Sequence, residues 1–140
     1  MLVTLLCLLP ALAGLVAFWL PPGPRVRRLL PAVGAVHLLL SVLAWNDPPG
    51  GGWLGLDALG RVFLGITSLV FLAASVYAVS YLRDEPAGMQ PDMGGEDPFS
   101  NAKESVFVGC LLLFLASMTL VCASRHLTLL WVAIEATTLA

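Results

Sequence analysis

The stretch Ser105-Val-Phe-Val-Gly-Cys-Leu-Leu-Leu-Phe-Leu-Ala-Ser-Met-Thr-Leu-Val-Cys-Ala-Ser124 runs for 20 residues without a charged side chain. As a helix it rises ~30 Å, the thickness of a bilayer's hydrocarbon core, so its reading as a membrane span decides the fold. The pattern recurs on both sides. A first apolar run covers Leu2–Leu20 and stops at Pro21-Pro22-Gly23-Pro24. A second covers about Leu29–Trp45, with Pro31 near its first turn, where a missing N–H does least harm. The turn-rich connector Asn46–Gly52 leads to a third run, about Ala58–Leu82. The polar connector Arg83–Glu104 follows, and a last apolar run begins at Leu127 and reaches Ala140. None of these runs alternates polar with apolar, which excludes the strands of a membrane barrel. The expected fold is all-α: one polytopic transmembrane helical bundle over residues 1–140, with four full spans and a truncated fifth.

Composition agrees with that reading. Hydrophobic residues make up 59% of the 140-residue chain and charged residues 11%, against roughly 45–50% and about 25% in soluble domains. So few charges cannot cover a water-soluble globule of this size. The formal net charge is −2, with the charges gathered in short stretches, which excludes a basic face for nucleic acid. Cys7, Cys110 and Cys122 form no C-x-x-C pair and each lies in an apolar run, so they read as small packing residues. No metal cluster, phosphate-cradling glycine loop or nucleophile beside a base is legible, and no cofactor is expected.

Orientation follows from the basic residues in the connectors. Arg25, Arg27 and Arg28 lie in the first, Arg83 and Lys103 in the third, and only Arg125 in the fourth. This places the first and third connectors in the cytoplasm and the N-terminus outside, in the cell's inner (plasma) membrane. No Lys or Arg precedes the first run, which is also longer than the roughly 7–15 residues of a signal peptide's apolar region, so it reads as a span. The third connector carries six acids against two bases and reads as solvated.

The last run is too short. Its 14 residues rise only ~21 Å as a helix, and a terminal carboxylate at that depth is costly. The expectation is therefore that the sequence is the N-terminal part of a longer membrane protein, with a short re-entrant helix packed within protein as the other reading. Glu135 lies eight residues after Leu127, so ~12 Å along the helix and close to the middle of the core. A charged residue there costs roughly 2.5–3.5 kcal/mol and nearly always faces protein interior or a wet cavity. Thr128, Trp131, Glu135 and Thr138 fall on one helical stripe, expected to look into the bundle. Two readings stand: a carboxyl on a proton path, or a structural carboxyl that bonds to a neighbouring helix.

Other candidates are weaker. His37, near mid-depth of the second span, reads either as a neutral imidazole bonded to a backbone carbonyl or as a proton-transfer group. Asp57 and Arg61 stand four residues apart, a spacing that suits an interface ion pair, with ion passage as the other reading. His126 sits in the short outer turn and is assigned no chemistry. The pairs Ala13/Ala17 and Ala74/Ala78 permit close helix contact.

The segment Leu111–Leu120, the short polar turn after it, and Leu127-Thr-Leu-Leu-Trp-Val-Ala-Ile-Glu-Ala-Thr-Thr-Leu139 resemble the fourth and fifth helices of the antiporter-like proton-translocating subunits. These belong to respiratory complex I, to membrane-bound group 4 nickel–iron hydrogenases and to multisubunit cation/proton antiporters. Trp131–Thr138 is similar to versions found in hydrogenase-4-type subunits and their NADH dehydrogenase-like relatives. Leu56-Asp57-Ala58-Leu59 and Ser80-Tyr81-Leu82 also resemble the family's pattern. The resemblance implies a subunit of about fourteen helices in which the fifth-helix glutamate, here Glu135, pairs with a lysine of a later helix. It further implies a non-redox subunit of an oxidoreductase assembly of the NADH:quinone oxidoreductase or hydrogenase type. Such a subunit has no catalytic centre of its own, and its partners are other membrane and peripheral subunits and the lipid bilayer. The spans of this sequence contain no lysine, so that pair cannot form within it. A scaffold for peripheral subunits and a small dimeric ion-coupled transporter are the competing functions, and the choice between H⁺ and Na⁺ is open.

Overall fold

A computed structural model describes residues 1–21, 23–46, 52–84 and 102–140. It contains five helices: α1 (Leu2–Trp19), α2 (Pro24–Leu43), α3 (Ala58–Asp84), α4 (Ala102–Ala123) and α5 (Leu127–Leu139). A single 3₁₀ turn, Ala44–Asn46, extends α2. The expected all-helical fold is found, with four helices long and apolar enough to cross a membrane and a shorter apolar fifth. Most of the third connector, and residues 47–51 of the second, lie outside the described residues.

One helix differs in its start. The second helix begins at Pro24, not near Leu29, and so takes in Arg25, Arg27 and Arg28. Gly23 precedes it at φ 145°, a conformation that other residues rarely adopt, and Pro24 then supplies a first helical residue with its φ already set. Pro31 is consequently inside α2 rather than in its first turn.

α1 lies along α4 and α2 along α3, with α5 packed on α4. The α1–α4 approach is close because Gly14 has no side chain: a Cβ there would stand 3.1 Å from the Gly109 carbonyl oxygen and 3.3 Å from the Leu112 Cβ. Two apolar clusters fill the interior. One joins Ala17, Val26, Leu30, Phe71, Leu112 and Leu115, and the other joins Leu6, Ala44, Leu56, Leu64 and Ala123. Only 22–39% of each span's most apolar window is buried, so the remaining apolar surface requires surroundings other than water.

Polar contacts tie the helix ends. At one end Arg27 of α2 grips Glu104 of α4 through both carboxylate oxygens, Nε to Oε1 at 2.6 Å and Nη2 to Oε2 at 3.2 Å. Glu104 is in the first turn of α4, where a negative charge also suits the helix dipole. Ser105 donates to the Leu20 carbonyl at the end of α1, 2.9 Å away. At the opposite end the segment before α3 pairs with the α4–α5 turn. Gly55 N–H donates to the Ala123 carbonyl (2.9 Å), Arg125 N–H donates to the Trp53 carbonyl (3.1 Å), and the rings of Trp53 and His126 stack with centroids 4.8 Å apart.

Candidate functional site

Two titratable side chains, His37 and Glu135, lie within apolar helices. The first is His37 of α2, fully buried where α2 meets α3 and α4. Its Nδ1 lies 2.9 Å from Ser68 Oγ on α3, and its Nε2 lies 3.0 Å from Thr119 Oγ1 on α4. Both hydroxyls also reach back into their own helices, Ser68 to the Leu64 carbonyl and Thr119 to the Leu115 carbonyl, each at 2.7 Å. On α1 the buried Pro10 has no N–H, so the Leu6 carbonyl lacks its usual donor four residues on. The sequence leaves the partners of His37 unnamed, and the structure supplies them as hydroxyls from two other helices. Ser68 and Thr119 are mid-span hydroxyls among apolar neighbours, which is the signal that could have singled them out.

The second is Glu135 on α5. The stripe Thr128, Trp131, Glu135 and Thr138 does share a face, and all four residues are exposed. That face points away from the four long helices, contrary to the expectation that it looks inward. The reason lies in the opposite side of α5. Ala133 is completely buried and lets α5 approach α4 closely. Two residues at about 100° each turn Glu135 roughly 200° from Ala133, to the far side of the helix. Leu129, Leu130, Ala136 and Thr137 flank Ala133 and are half-buried, which completes the inner face. Among the described residues the Glu135 carboxylate has no hydrogen bond or ion pair. Glu135 and His37 are therefore not brought together: α4 stands between them.

Asp57 and Arg61 each bond to backbone. Asp57 Oδ1 accepts the Gly60 N–H at 2.6 Å, capping the start of α3, while Arg61 Nη1 donates to the Trp45 carbonyl at 3.3 Å. The salt bridge among the described residues is Arg27–Glu104. Cys7, Cys110 and Cys122 are free thiols, and no group of three His, Cys, Asp or Glu side chains among the described residues could hold a metal ion.

The fold and these sites define a multi-pass helical membrane protein with a buried imidazole in its second helix and an exposed carboxylate on the shorter apolar helix α5. The chain matches no protein family, no curated protein and no solved structure.

Proposed function

We propose that this protein is an ion-translocating membrane subunit of a complex I-like or hydrogenase-like assembly, in which Glu135 takes up and releases a proton. The observation that carries the reading is the position of Glu135. It lies ~12 Å along an apolar helix, on the side that no other described helix covers. Facing lipid, a carboxylate at that depth costs roughly 2.5–3.5 kcal/mol. A cationic side chain from outside the five helices removes that cost, and its approach or withdrawal shifts Glu135 between its charged and neutral forms. The outer face of α5 is then a contact face. Trp131, Thr128 and Thr138 share that face with the carboxylate, a composition that suits helix-to-helix packing better than lipid alone.

In this reading electrons move through other subunits of the assembly, and the protein couples that movement to proton transfer. The three arginines at the start of α2 face the cytoplasm, and the N-terminus lies outside the inner membrane. The test is Glu135→Gln in the assembled complex. The expected result is normal assembly with proton translocation reduced by at least tenfold. Normal translocation contradicts the proposal and leaves a scaffold role, and loss of assembly makes Glu135 a structural carboxyl.

A further inference from the structure

His37 is surrounded by one more hydrogen-bonding contact than its neutral form can fill. The neutral ring, Ser68 and Thr119 together carry three mobile hydrogens, one on the ring and one on each hydroxyl. Four short contacts compete for them: Nδ1 to Ser68 Oγ, Nε2 to Thr119 Oγ1, Ser68 Oγ to the Leu64 carbonyl, and Thr119 Oγ1 to the Leu115 carbonyl. With the ring hydrogen on Nδ1, the Thr119 hydroxyl must choose between Nε2 and the Leu115 carbonyl. With the hydrogen on Nε2, Ser68 faces the same choice. One contact is empty in either tautomer. A single proton added to the ring fills it, because both ring N–H groups then donate to hydroxyl oxygens and both hydroxyls donate to their carbonyls.

We propose that His37, Ser68 and Thr119 form a proton-binding site in the core of the bundle, separate from Glu135. The bound species is one proton from hydronium, which adds to the bare ring nitrogen and leaves water behind. No bond other than that N–H forms.

The surroundings make the hydrogen bonds decisive. The titratable groups closest along the packed helices are Cys7 beside Leu6 on α1 and Cys122 three residues beyond Thr119 on α4. Arg61 of α3 is seven residues from Ser68, and Arg28 of α2 is nine from His37, distances of ~10 Å and ~14 Å along the axes. α5 turns Glu135 away from the site. With no carboxylate within two turns on any of these helices, an imidazolium here is held by oriented oxygen atoms and not by a counter-ion. Burying a charge is costly, and hydrogen bonds to charged groups are the stronger kind that can offset it.

The test is nitrogen NMR of the ¹⁵N-histidine-labelled protein in lipid nanodiscs over a pH series, with exposed His126 as the internal reference. The expected result is that both ring nitrogens of His37 become N–H donors in one reversible step while the helices stay intact. Thr119→Val, which keeps the side-chain shape and removes one acceptor, lowers the protonated fraction at a given pH by roughly tenfold. The proposal is overturned if His37 keeps one bare nitrogen at every pH at which the bundle is folded, or if Thr119→Val leaves the fraction unchanged. Should that variant fail to fold, the wild-type series decides alone.

Discussion

His37 on α2 and Thr119 on α4 are 82 positions apart in the chain and meet in the core with Nε2 and Oγ1 separated by 3.0 Å. Because the Thr119 hydroxyl also bonds to the Leu115 carbonyl, it keeps a partner when the ring is removed. The reverse does not hold, since the ring depends on hydroxyls from other helices. His37→Leu is therefore expected to destabilise the bundle by only ~1–2 kcal/mol, while Ser68→Ala combined with Thr119→Val, which strands a buried ring, costs ~2–4 kcal/mol. Thermal or denaturant unfolding in detergent micelles compares the two.

Two glycines of α3 are predicted to respond with opposite sign to alanine. A Cβ at Gly60 would stand 2.7 Å from the Cys122 carbonyl oxygen and 2.8 Å from Asp57 Oδ1. The first of these is backbone and cannot move aside cheaply. Nothing lies within 4 Å of a Cβ at Gly65. Gly60→Ala should cost ~1–3 kcal/mol, and Gly65→Ala should gain up to ~1 kcal/mol from helix propensity. Melting temperatures of the two variants measure the difference.

The Arg27–Glu104 pair joins α2 to α4 with side chains 26% and 13% exposed, and its two-pronged geometry sets it apart from an ordinary surface pair. A double-mutant cycle with Arg27→Met and Glu104→Gln is expected to give a coupling of ~1–2 kcal/mol that weakens in high salt. A coupling near zero would reduce the pair to a solvated contact.

The spans themselves were plain in the sequence, because a run such as Ser105–Ser124 has few alternatives to crossing a bilayer. The start of α2 was not. Three arginines look like connector, yet a helix can carry them in its first turns if their long stems reach toward the headgroups. The stripe through Glu135 was also readable, since periodicity places residues on one face. Periodicity does not say which neighbour that face meets; the small Ala133 on the opposite side settled it by letting α5 dock on α4. The partners of His37 were illegible for a related reason: the register between helices depends on contacts between segments far apart in sequence, such as Gly14 against Gly109.

Orientation is open to direct measurement. With the three native cysteines replaced by serine, a cysteine at Ser124 should react with a membrane-impermeant maleimide added outside intact cells. A cysteine at Arg25 should react only after the membrane is opened. The opposite pattern would invert the assignment of the N-terminus to the outer side.

The most direct test of the central claim is infrared difference spectroscopy of the assembled complex in lipid, with Glu135→Gln used to assign the signal. If Glu135 carries the translocated proton, imposing a proton gradient changes a protonated-carboxyl band that the variant lacks. A Glu135 carboxylate that stays ionised and water-exposed under every gradient would contradict the account.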